Sequence, residues 1–520
     1  MFEKRAGKPK QEEFWVATTE LPRATPEKFY RRVNATLAEM GFAEAVWAIC
    51  KSAYADVSKG GRPGIDPVVY LKMIMVGFFE NLPSERAIAS RCEDSLSIRA
   101  FLGYGVTEAT PDHSSLSVIR DRLSVEQMEL IHGELLKALR AHGLLKGRQL
   151  GIDASVIEAN ASLRALESRN TEENYWDYVK RLAAEAGVDP NDVKAVRRFD
   201  KKRKGRKTSN DDWKNPHDPE AKVGRTKDGA TDMTYKPEHV SDLETGAIIH
   251  AEVRLGDEAD NDESLCERVM TAVDVLEGVM PDVSPEKLAR ELAADEGYFA
   301  IGPISELQAC GVRTIIGDPQ AERRRLDKMT EEERRAWQRA RRAVRSQSGK
   351  AALRRRGEHL ERAFCHVLDH GKLRRATLRG QENLTKRFKL GALSYNLSLL
   401  MRHLIGVGTP KQAQAGVGAA FGALLYRLLR FTCSFLVNLL AVERRSPRFP
   451  PPTLSRSSGQ RFFNRLIAGP SPKPSLYETV SPPQRNRPDS YSGAHARRRT
   501  ADRNGRTRHL ARHRVHEADQ

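Results

Sequence analysis

Three acidic residues stand in sequence contexts where a carboxylate could bind a metal ion. Asp153 lies inside the short apolar run GIDAS, Asp295 follows the apolar pair in AADEGY, and Glu361 lies in HLERAF on a segment with helical spacing. Hard divalent cations prefer carboxylate oxygens, and two ions about 4 Å apart can hold both the attacking and the leaving oxygen of a phosphodiester displacement. On these residues alone, ordinary turn residues or salt-bridge partners remain equally open interpretations.

The elements that would have to position these carboxylates follow an α/β order. Short runs rich in β-branched residues predict buried strands, and the run that contains Asp153 is one of them. The predicted elements are, in chain order, a strand at 150–157, a hairpin turning at 242–246, a helix at 264–280, a strand at 312–317 and helices from 330 onward, continuous in helical period from 356 to about 442. This order predicts a layered α/β core with helices on its faces.

The chain ahead of this core has helical periodicity from residue 25 to about 145. GRPGID at 61–66 predicts a turn, Ser84 is a predicted N-cap, and Asp112 or Ser114 should cap a later helix. Short helices joined by tight turns are compatible with helix-turn-helix DNA binding. A helical packing or dimerisation module would have the same pattern, and both interpretations stay open.

The charge of the chain favours a polyanionic partner. The formal net charge is +18 over 520 residues, but residues 443–520 hold 17 Lys and Arg against 6 Asp and Glu, so more than half of the excess lies there. This Pro-, Ser- and Arg-rich tail is expected to be disordered, as is a flexible basic start at 1–24. A second basic cluster is predicted to contact DNA phosphates or to form a solvated loop: Lys201, Lys202, Arg203, Lys204, Arg206 and Lys207.

Cysteine usage and hydropathy predict a cytoplasmic protein, and the predicted contact with DNA would make it nucleoid-associated. The six cysteines form no C-x-x-C pair, which argues against a zinc knuckle and favours a reducing compartment. The N-terminal stretch has no apolar signal region. The most apolar late segment, 421–442, is interrupted by Arg427 and Arg430, so no membrane partner is expected.

Five linked motifs carry a resemblance over roughly residues 25–410. They are GRPGIDPVVYLKMIM with PDHSSLSVIRDRL, GIDASVIEANAS, TDMTYKPEHVSDLETGAIIHAEV, ADEGYF, and RRRGEHLERAFCHVLD followed by RRATLRGQENLTKRFKLGALSYNLSLLMR. In this order they resemble the DDE transposases of bacterial insertion sequences, in the branch with an all-α N-terminal domain ahead of an RNase H-like core. The resemblance implies an α/β fold with a helical domain at 25–145 and a catalytic domain at 146–442, with polar insertions near 160–230 and 320–355.

The resemblance also implies a chemistry. Asp153, Asp295 and Glu361 would be the catalytic and metal-binding triad, using Mg²⁺ or Mn²⁺ and two ions. Arg356 would lie near the DNA, together with the cluster at 201–207. The expected partners are double-stranded DNA, as transposon ends and as target, and a second copy of the chain in a homodimeric DNA complex. The expected reaction frees a 3′-hydroxyl by hydrolysis and transfers it to target DNA.

Two departures from the family pattern affect these assignments. The family often has a lysine seven residues after the glutamate, and this chain has Leu368 there. Glu358 competes with Glu361 for the role of third ligand, although the E-R-A-F context favours Glu361. The residues beyond 467 resemble nothing in the family and could be a frameshifted end. A domesticated nuclease without strand transfer and a catalytically inactive DNA-binding derivative are the alternative functions.

Overall fold

The computed structural model describes residues 25–54, 64–203, 210–261 and 263–414. The predicted flexible start at 1–24 and the predicted disordered tail at 443–520 lie outside these ranges. Lys204, Arg206 and Lys207 of the basic cluster lie outside them as well.

The described residues up to 141 contain only helices among their regular elements. The α-helices are α1 (Thr25–Glu39), α2 (Phe42–Cys50), α3 (Pro67–Glu80), α4 (Glu85–Asp94), α5 (Leu96–Leu102), α6 (His113–Arg122) and α7 (Val125–Ala141). The predicted N-caps are confirmed: Ser84 accepts a hydrogen bond from the Ala87 amide, and Asp112 accepts one from the Ser115 amide. Helix α3 is apolar on all sides and is buried almost throughout, so the other helices pack around it.

The rest of the described chain is built on one large sheet and a two-stranded one. The strands are β1 (Gln149–Ala154), β2 (Ile157–Glu158), β3 (Glu167–Ser168), β4 (Trp213–Lys214), β5 (Lys222–Arg225), β6 (Thr231–Asp242), β7 (Ile248–Leu255), β8 (Glu291–Ala293) and β9 (Arg313–Ile315). Strand β6 pairs antiparallel with both β1 and β7, whereas β1, β8 and β9 run parallel. The predicted hairpin turn at 242–246 is confirmed between β6 and β7.

Helices cover the sheet and fill the insertion. They are α8 (Tyr175–Glu185), α9 (Val193–Lys202), α10 (Leu265–Val279), α11 (Ile301–Ala309), α12 (Glu331–Arg345), α13 (Gln347–Phe364) and α14 (Gln381–Ile405). The predicted capping box is present, because Thr330 and Glu333 exchange side-chain and backbone hydrogen bonds at the start of α12. None of the described helices is both long and apolar enough to cross a lipid bilayer.

Helix α14 covers the edge strand β7 through side-chain hydrogen bonds. The Asn396 amide donates to the Ile248 carbonyl at 2.7 Å and accepts from the Ile248 amide at 3.0 Å. The Thr385 hydroxyl accepts from the Val253 amide at 3.2 Å. These bonds satisfy backbone groups that an open sheet edge would leave unpaired. Helix α7 packs on the same helix, where His132 lies 2.9 Å from the Asn396 amide, so α14 joins the two parts of the chain.

The helical period predicted from residue 356 onward is interrupted. A π-helical turn, Cys365–His370, follows α13, and residues 371–380 are not helical. In this stretch the Glu158 amide donates to the Arg374 carbonyl, and the Ala376 amide donates to the Glu158 carbonyl. The backbone therefore finds its partners on β2 rather than within a helix, a tertiary choice that periodicity does not reveal.

Helix α13 lies close against β1 because that strand has a glycine at the contact. A Cβ atom on Gly151 would lie 2.6 Å from Leu243 Cδ2 and 3.1 Å from Leu360 Cδ1. Leu243 and Leu360 are both buried. A larger side chain here would have to displace packed leucines and, with them, the helix.

We expect Gly151→Val to lower the free energy of unfolding by roughly 1–3 kcal/mol, because overpacking a dense core forces neighbouring side chains out of their rotamers. Urea denaturation measures this. Gly133→Ala is the control, since a Cβ on Gly133 in α7 would meet nothing within 4 Å, and it should stabilise the chain by roughly 0.5–1 kcal/mol. Equal stabilities of the Gly151→Val and wild-type chains would show that α13 is not held against β1 as described.

Candidate active site

Asp153 lies on β1 and Asp295 lies just beyond the end of the adjacent parallel strand β8, at equivalent positions in the register. Strands β1 and β8 pair in register from Gln149 with Glu291 to Gly151 with Ala293. Asp153 lies two residues beyond Gly151, and Asp295 lies two residues beyond Ala293. Because the carboxyl ends of parallel strands meet at one edge of a sheet, the register alone brings the two carboxylates to the same place.

A guanidinium group from α13 bridges the two aspartates. Nη2 of Arg356 lies 3.0 Å from Oδ1 of Asp153 and 3.5 Å from Oδ2 of Asp295. The Arg356 and Asp153 side chains are 14% and 19% exposed, whereas that of Asp295 is 50% exposed. Nε of Arg356 is buried and has no hydrogen-bond partner among the described residues. The site therefore opens to solvent on the Asp295 side and contains a donor that is still unsatisfied.

Burial perturbs the acidity of Asp153. It raises the pKa of Asp153 to about 6; the positive charge of Arg356 lowers the pKa, and the negative charge of Asp295 raises it further. The charged form of Asp153 is thus stabilised only in part by a single cation. Because Arg356 compensates the negative charge of the two carboxylates only in part, they can bind an additional cation.

Hydrogen bonds fix the turn that follows Asp295. The Asp295 carboxylate accepts a hydrogen bond from the Gly297 amide at 2.9 Å, which closes a short 3-10 turn at Glu296–Tyr298. The Tyr298 hydroxyl then donates to Oε2 of Glu238 at 2.6 Å. Glu238 lies on β6 and is 2% exposed. The ADEGY motif is therefore anchored at both ends, one in the site and one in the core.

Glu238 is the centre of a buried ionic network. Its carboxylate lies 3.1 Å from Nη1 of Arg254 and 2.7 Å from Nε of Arg268. Burial raises the pKa of Glu238, while Arg268 and Arg254 oppose that shift. These residues were not predicted from the sequence. The signal available was an acidic residue in the apolar part of a strand, in YKPEHV, where an unpaired charge would be costly.

The structure brings together Asp153, Asp295 and Arg356, but it does not bring Glu361 into the same cluster. Glu361 and Glu358 are both exposed on α13, and Glu358 pairs with Arg362 at 2.5 Å. Five residues along a helix correspond to a rotation of about 140°, which separates Glu361 from Arg356 around the helix axis. Within the described residues, no three or more His, Cys, Asp or Glu side chains converge on a common point. The assignment of Glu361 as third ligand stays a prediction.

The basic cluster at 201–207 is described only in part. Lys201 and Lys202 are exposed at the end of α9. Nε of Arg203 lies 2.8 Å from Oδ1 of Asp200, and Arg203 also contacts the Tyr175 hydroxyl. Arg203 is thus engaged within the insertion, whereas the two lysines are available to phosphates. Lysines and arginines at these positions remain predicted DNA contacts.

A second group of cations, not predicted from the sequence, adjoins the aspartates. Nη1 of Arg374 donates to the Ser155 hydroxyl at 3.0 Å, and Nε of Arg374 donates to Oδ1 of Asp369 at 2.9 Å. Ser155 lies two residues beyond Asp153, just after β1 ends. The signal was the pair Arg374 and Arg375 close after Glu361, but the assumption of a continuous helix hid their position beside β2.

Two family models match the chain. The model described as Transposase domain (DUF772) matches residues 20–122, and the model described as Transposase DDE domain matches residues 308–401. The first match covers helices α1 to α6, and the second covers β9, α12, α13 and most of α14. No curated protein and no solved structure matches the chain.

The two matches agree with the order of elements described above. The segment between them carries Asp153 and Asp295, and the DDE match itself carries Arg356 and Glu361. A helical first domain and a DDE domain thus occur in one chain, with the paired aspartates on the strands that connect them. Both matched models are models of transposase domains, and together they support a DDE transposase of an insertion sequence.

Proposed function

We propose that this transposase cleaves DNA at the ends of its element and joins the freed 3′-hydroxyl to target DNA at the edge of the sheet where β1 and β8 end. The observation that carries the proposal is the register-matched pair of Asp153 and Asp295, bridged by Arg356. Two carboxylates on adjacent parallel strands, facing solvent on one side, form a site that suits a hard divalent cation.

The strand order supports an RNase H-like core. Across Asp153 the sheet runs β7-β6-β1-β8-β9, with β6 antiparallel to both of its neighbours and the last three strands parallel. In this arrangement β1 is central, and both of its flanking strands contribute to the site. His239 of β6 pairs with Asp153 on one side, and the turn after β8 supplies Asp295 on the other.

The donor set agrees with Mg²⁺ or Mn²⁺. Asp153 and Asp295 offer only oxygen, and the position between them already carries a positive group, the Arg356 guanidinium. When bound, divalent ions would activate water or the 3′-hydroxyl and neutralise the leaving oxygen. Glu361 is the proposed third ligand; from its exposed position on α13 it would have to turn toward the aspartates when DNA and metal bind.

The chain's own residues have further roles in this proposal. Arg356 would hold the two carboxylates together without metal and then contact a phosphate through its unsatisfied Nε. Lys201 and Lys202, with the other cations of that cluster, would contact the DNA backbone without reading its sequence. A homodimer would present two such sites to the two ends of the element.

The carboxylates can be tested as a unit. We expect Asp153→Ala and Asp295→Ala each to reduce cleavage of element-end DNA in Mg²⁺ by roughly 10³-fold or more, and the double variant to lose little beyond that, because both groups serve the same ions. Glu361→Ala should behave like them, and Glu358→Ala should not. Asp274→Ala, an exposed aspartate of α10, is the control. Near wild-type cleavage by Asp295→Ala would exclude the proposed mechanism.

Arg356 should compete with metal for the same oxygens. We expect Arg356→Gln to bind Mn²⁺ roughly tenfold more tightly than wild type without DNA, since no guanidinium has to leave the two carboxylates. Electron paramagnetic resonance titration of free Mn²⁺ at pH 8 measures this without any catalytic turnover. Arg362→Gln, which removes an exposed cation bound to Glu358, is the matched control. Weaker Mn²⁺ binding by Arg356→Gln would contradict competition.

The raised pKa of Asp153 should appear in the stability of the metal-free chain. Between about pH 4 and pH 6 the folded chain keeps a proton that the unfolded chain releases, so the free energy of unfolding falls as pH rises through this window. The shift corresponds to roughly 2–3 kcal/mol. Asp153→Asn should not show this decrease and should be the more stable chain at pH 7 but not at pH 4. Urea denaturation in EDTA at pH 4 and pH 7 measures this, with Asp274→Asn as the control. If wild type and Asp153→Asn differ in free energy of unfolding by the same amount at both pH values, the pKa of Asp153 is not raised.

A further inference from the structure

A groove of about 630 Å³ is lined mainly by the segment after α13. Its cations are Lys372, Arg374 and Arg375, and we call it the basic groove. Pro83, from the loop after α3, also lines it. The groove is therefore built from both of the regions that match transposase families, and it is separate from the cluster at 201–207.

The position of the basic groove is set by backbone pairing. Residues 374–376 bond to both sides of Glu158 on β2, and the Asn160 side chain donates to the Thr377 carbonyl at 3.0 Å. The segment therefore lies on the sheet in an extended form and is not a free loop. These hydrogen bonds fix the backbone positions of Arg374 and Arg375 relative to β2.

One cation of the groove lies near Asp153. Arg374 contacts the hydroxyl of Ser155, which follows Asp153 by two residues just after β1 ends, and two residues of extended chain span about 7 Å. The backbone of Ser155 still pairs with β6, since its amide donates to the Pro237 carbonyl at 2.9 Å. One end of the groove thus adjoins the carboxylate site, and a single extended strand of DNA could occupy both.

The charges of the groove are only partly balanced by the protein. Asp369 pairs with Arg374, and Glu158 lies 3.6 Å from Nε of Arg375, whose side chain is 80% exposed. Lys372 is exposed and has no acidic partner within 4 Å among the described residues. Lys372 also has φ 58°, in the left-handed region that favours glycine. A long cationic side chain is thus kept at a backbone position where glycine would fit better.

Leu368 and Lys372 line the groove together. Leu368 is fully buried and contributes an apolar part of the lining. Lys372 follows it by four residues, past the π-helical turn, and contributes an exposed cation.

We propose that the basic groove binds consecutive backbone phosphates of the DNA strand that enters the Asp153–Asp295 site, with Lys372 and Arg375 as the exposed phosphate contacts. This inference rests on the proposed function and specifies where its substrate lies. Arg374 positions the groove against Ser155, and Arg375 exchanges its solvent-exposed Glu158 contact for a phosphate. Such contacts fix the register of the strand and carry no base specificity.

Lys372→Gly separates a binding role from a structural one. Glycine suits the left-handed backbone, so the melting temperature should stay equal or rise, whereas affinity for a fluorescein-labelled random-sequence duplex should fall by roughly five- to tenfold at about 0.1 M salt. The slope of log Kobs against log salt should become shallower by roughly 0.9 for each phosphate that the variant no longer neutralises. Arg375→Ala should have the same effect on the slope, and the double variant should show about twice the change.

The controls remove equal charge elsewhere. Arg148 is the control for Arg375, because it also pairs with a glutamate, Glu244, but precedes β1 at the end opposite Asp153. Lys137, an exposed lysine of α7, is the control for Lys372. Arg148→Ala and Lys137→Ala should leave the slope unchanged. If all four variants weaken binding alike, or if neither groove variant changes it, the basic groove is not the binding site. A wild-type chain that binds no duplex would overturn the proposed function as well.

Discussion

Two carboxylates held on one edge of a sheet repel each other, and the fold around them is arranged to tolerate that repulsion. The register of β1 with β8 brings Asp153 and Asp295 to one edge of the sheet, and burial, followed by the negative charge of Asp295, raises the pKa of Asp153. Arg356 offsets part of this cost, which requires α13 to lie close to β1. Gly151 permits that approach, because no side chain intervenes between the strand and Leu360. The position of α13 is therefore coupled to the charge state of the site.

The buried network around Glu238 is the second layer of the same arrangement. A buried carboxylate with two arginines is not in itself a source of stability, because desolvation of the charges opposes their attraction. Its consequence is geometric: Glu238, Arg254 and Arg268 connect β6, β7 and α10, and the Tyr298 hydroxyl attaches the turn after Asp295 to them. Removal of one member would leave a buried charge uncompensated, so the network persists only when complete. Asp295, on a short exposed turn, thus has a rigid support.

Helix α14 connects this core to the helical domain that precedes it. Its Asn396 satisfies the edge of β7 and lies beside His132 of α7, and the ammonium of Lys389 forms an ion pair with Glu129 of the same helix. Lys389 is 2% exposed, so this pair belongs to the core. The two family matches are separated in the chain by strands β1 to β8, yet α14 packs against elements from both sides of that gap. Cations from the segment just ahead of α14 can therefore line one groove together with Pro83 from the loop after α3.

Elements whose signals are local could be predicted from the amino-acid sequence. Apolar period, caps such as Ser84 and Asp112, the capping box at Thr330 and the turn at 242–246 all depend on residues a few positions apart, and the structure has each of them. The motifs also carried the resemblance to DDE transposases, which the two family matches support. Which charges meet was settled by tertiary packing: the pairing of Asp153 with Asp295, the bridge by Arg356 and the network of Glu238 depend on strand register between segments far apart in the chain. Tertiary packing also decided the structure of residues 371–380, which have helical period but are not helical, because part of this segment forms hydrogen bonds with β2. Local pattern records which face of an element is apolar, whereas the partner of a buried charge or of an unpaired backbone group is chosen by whichever distant segment packs against it.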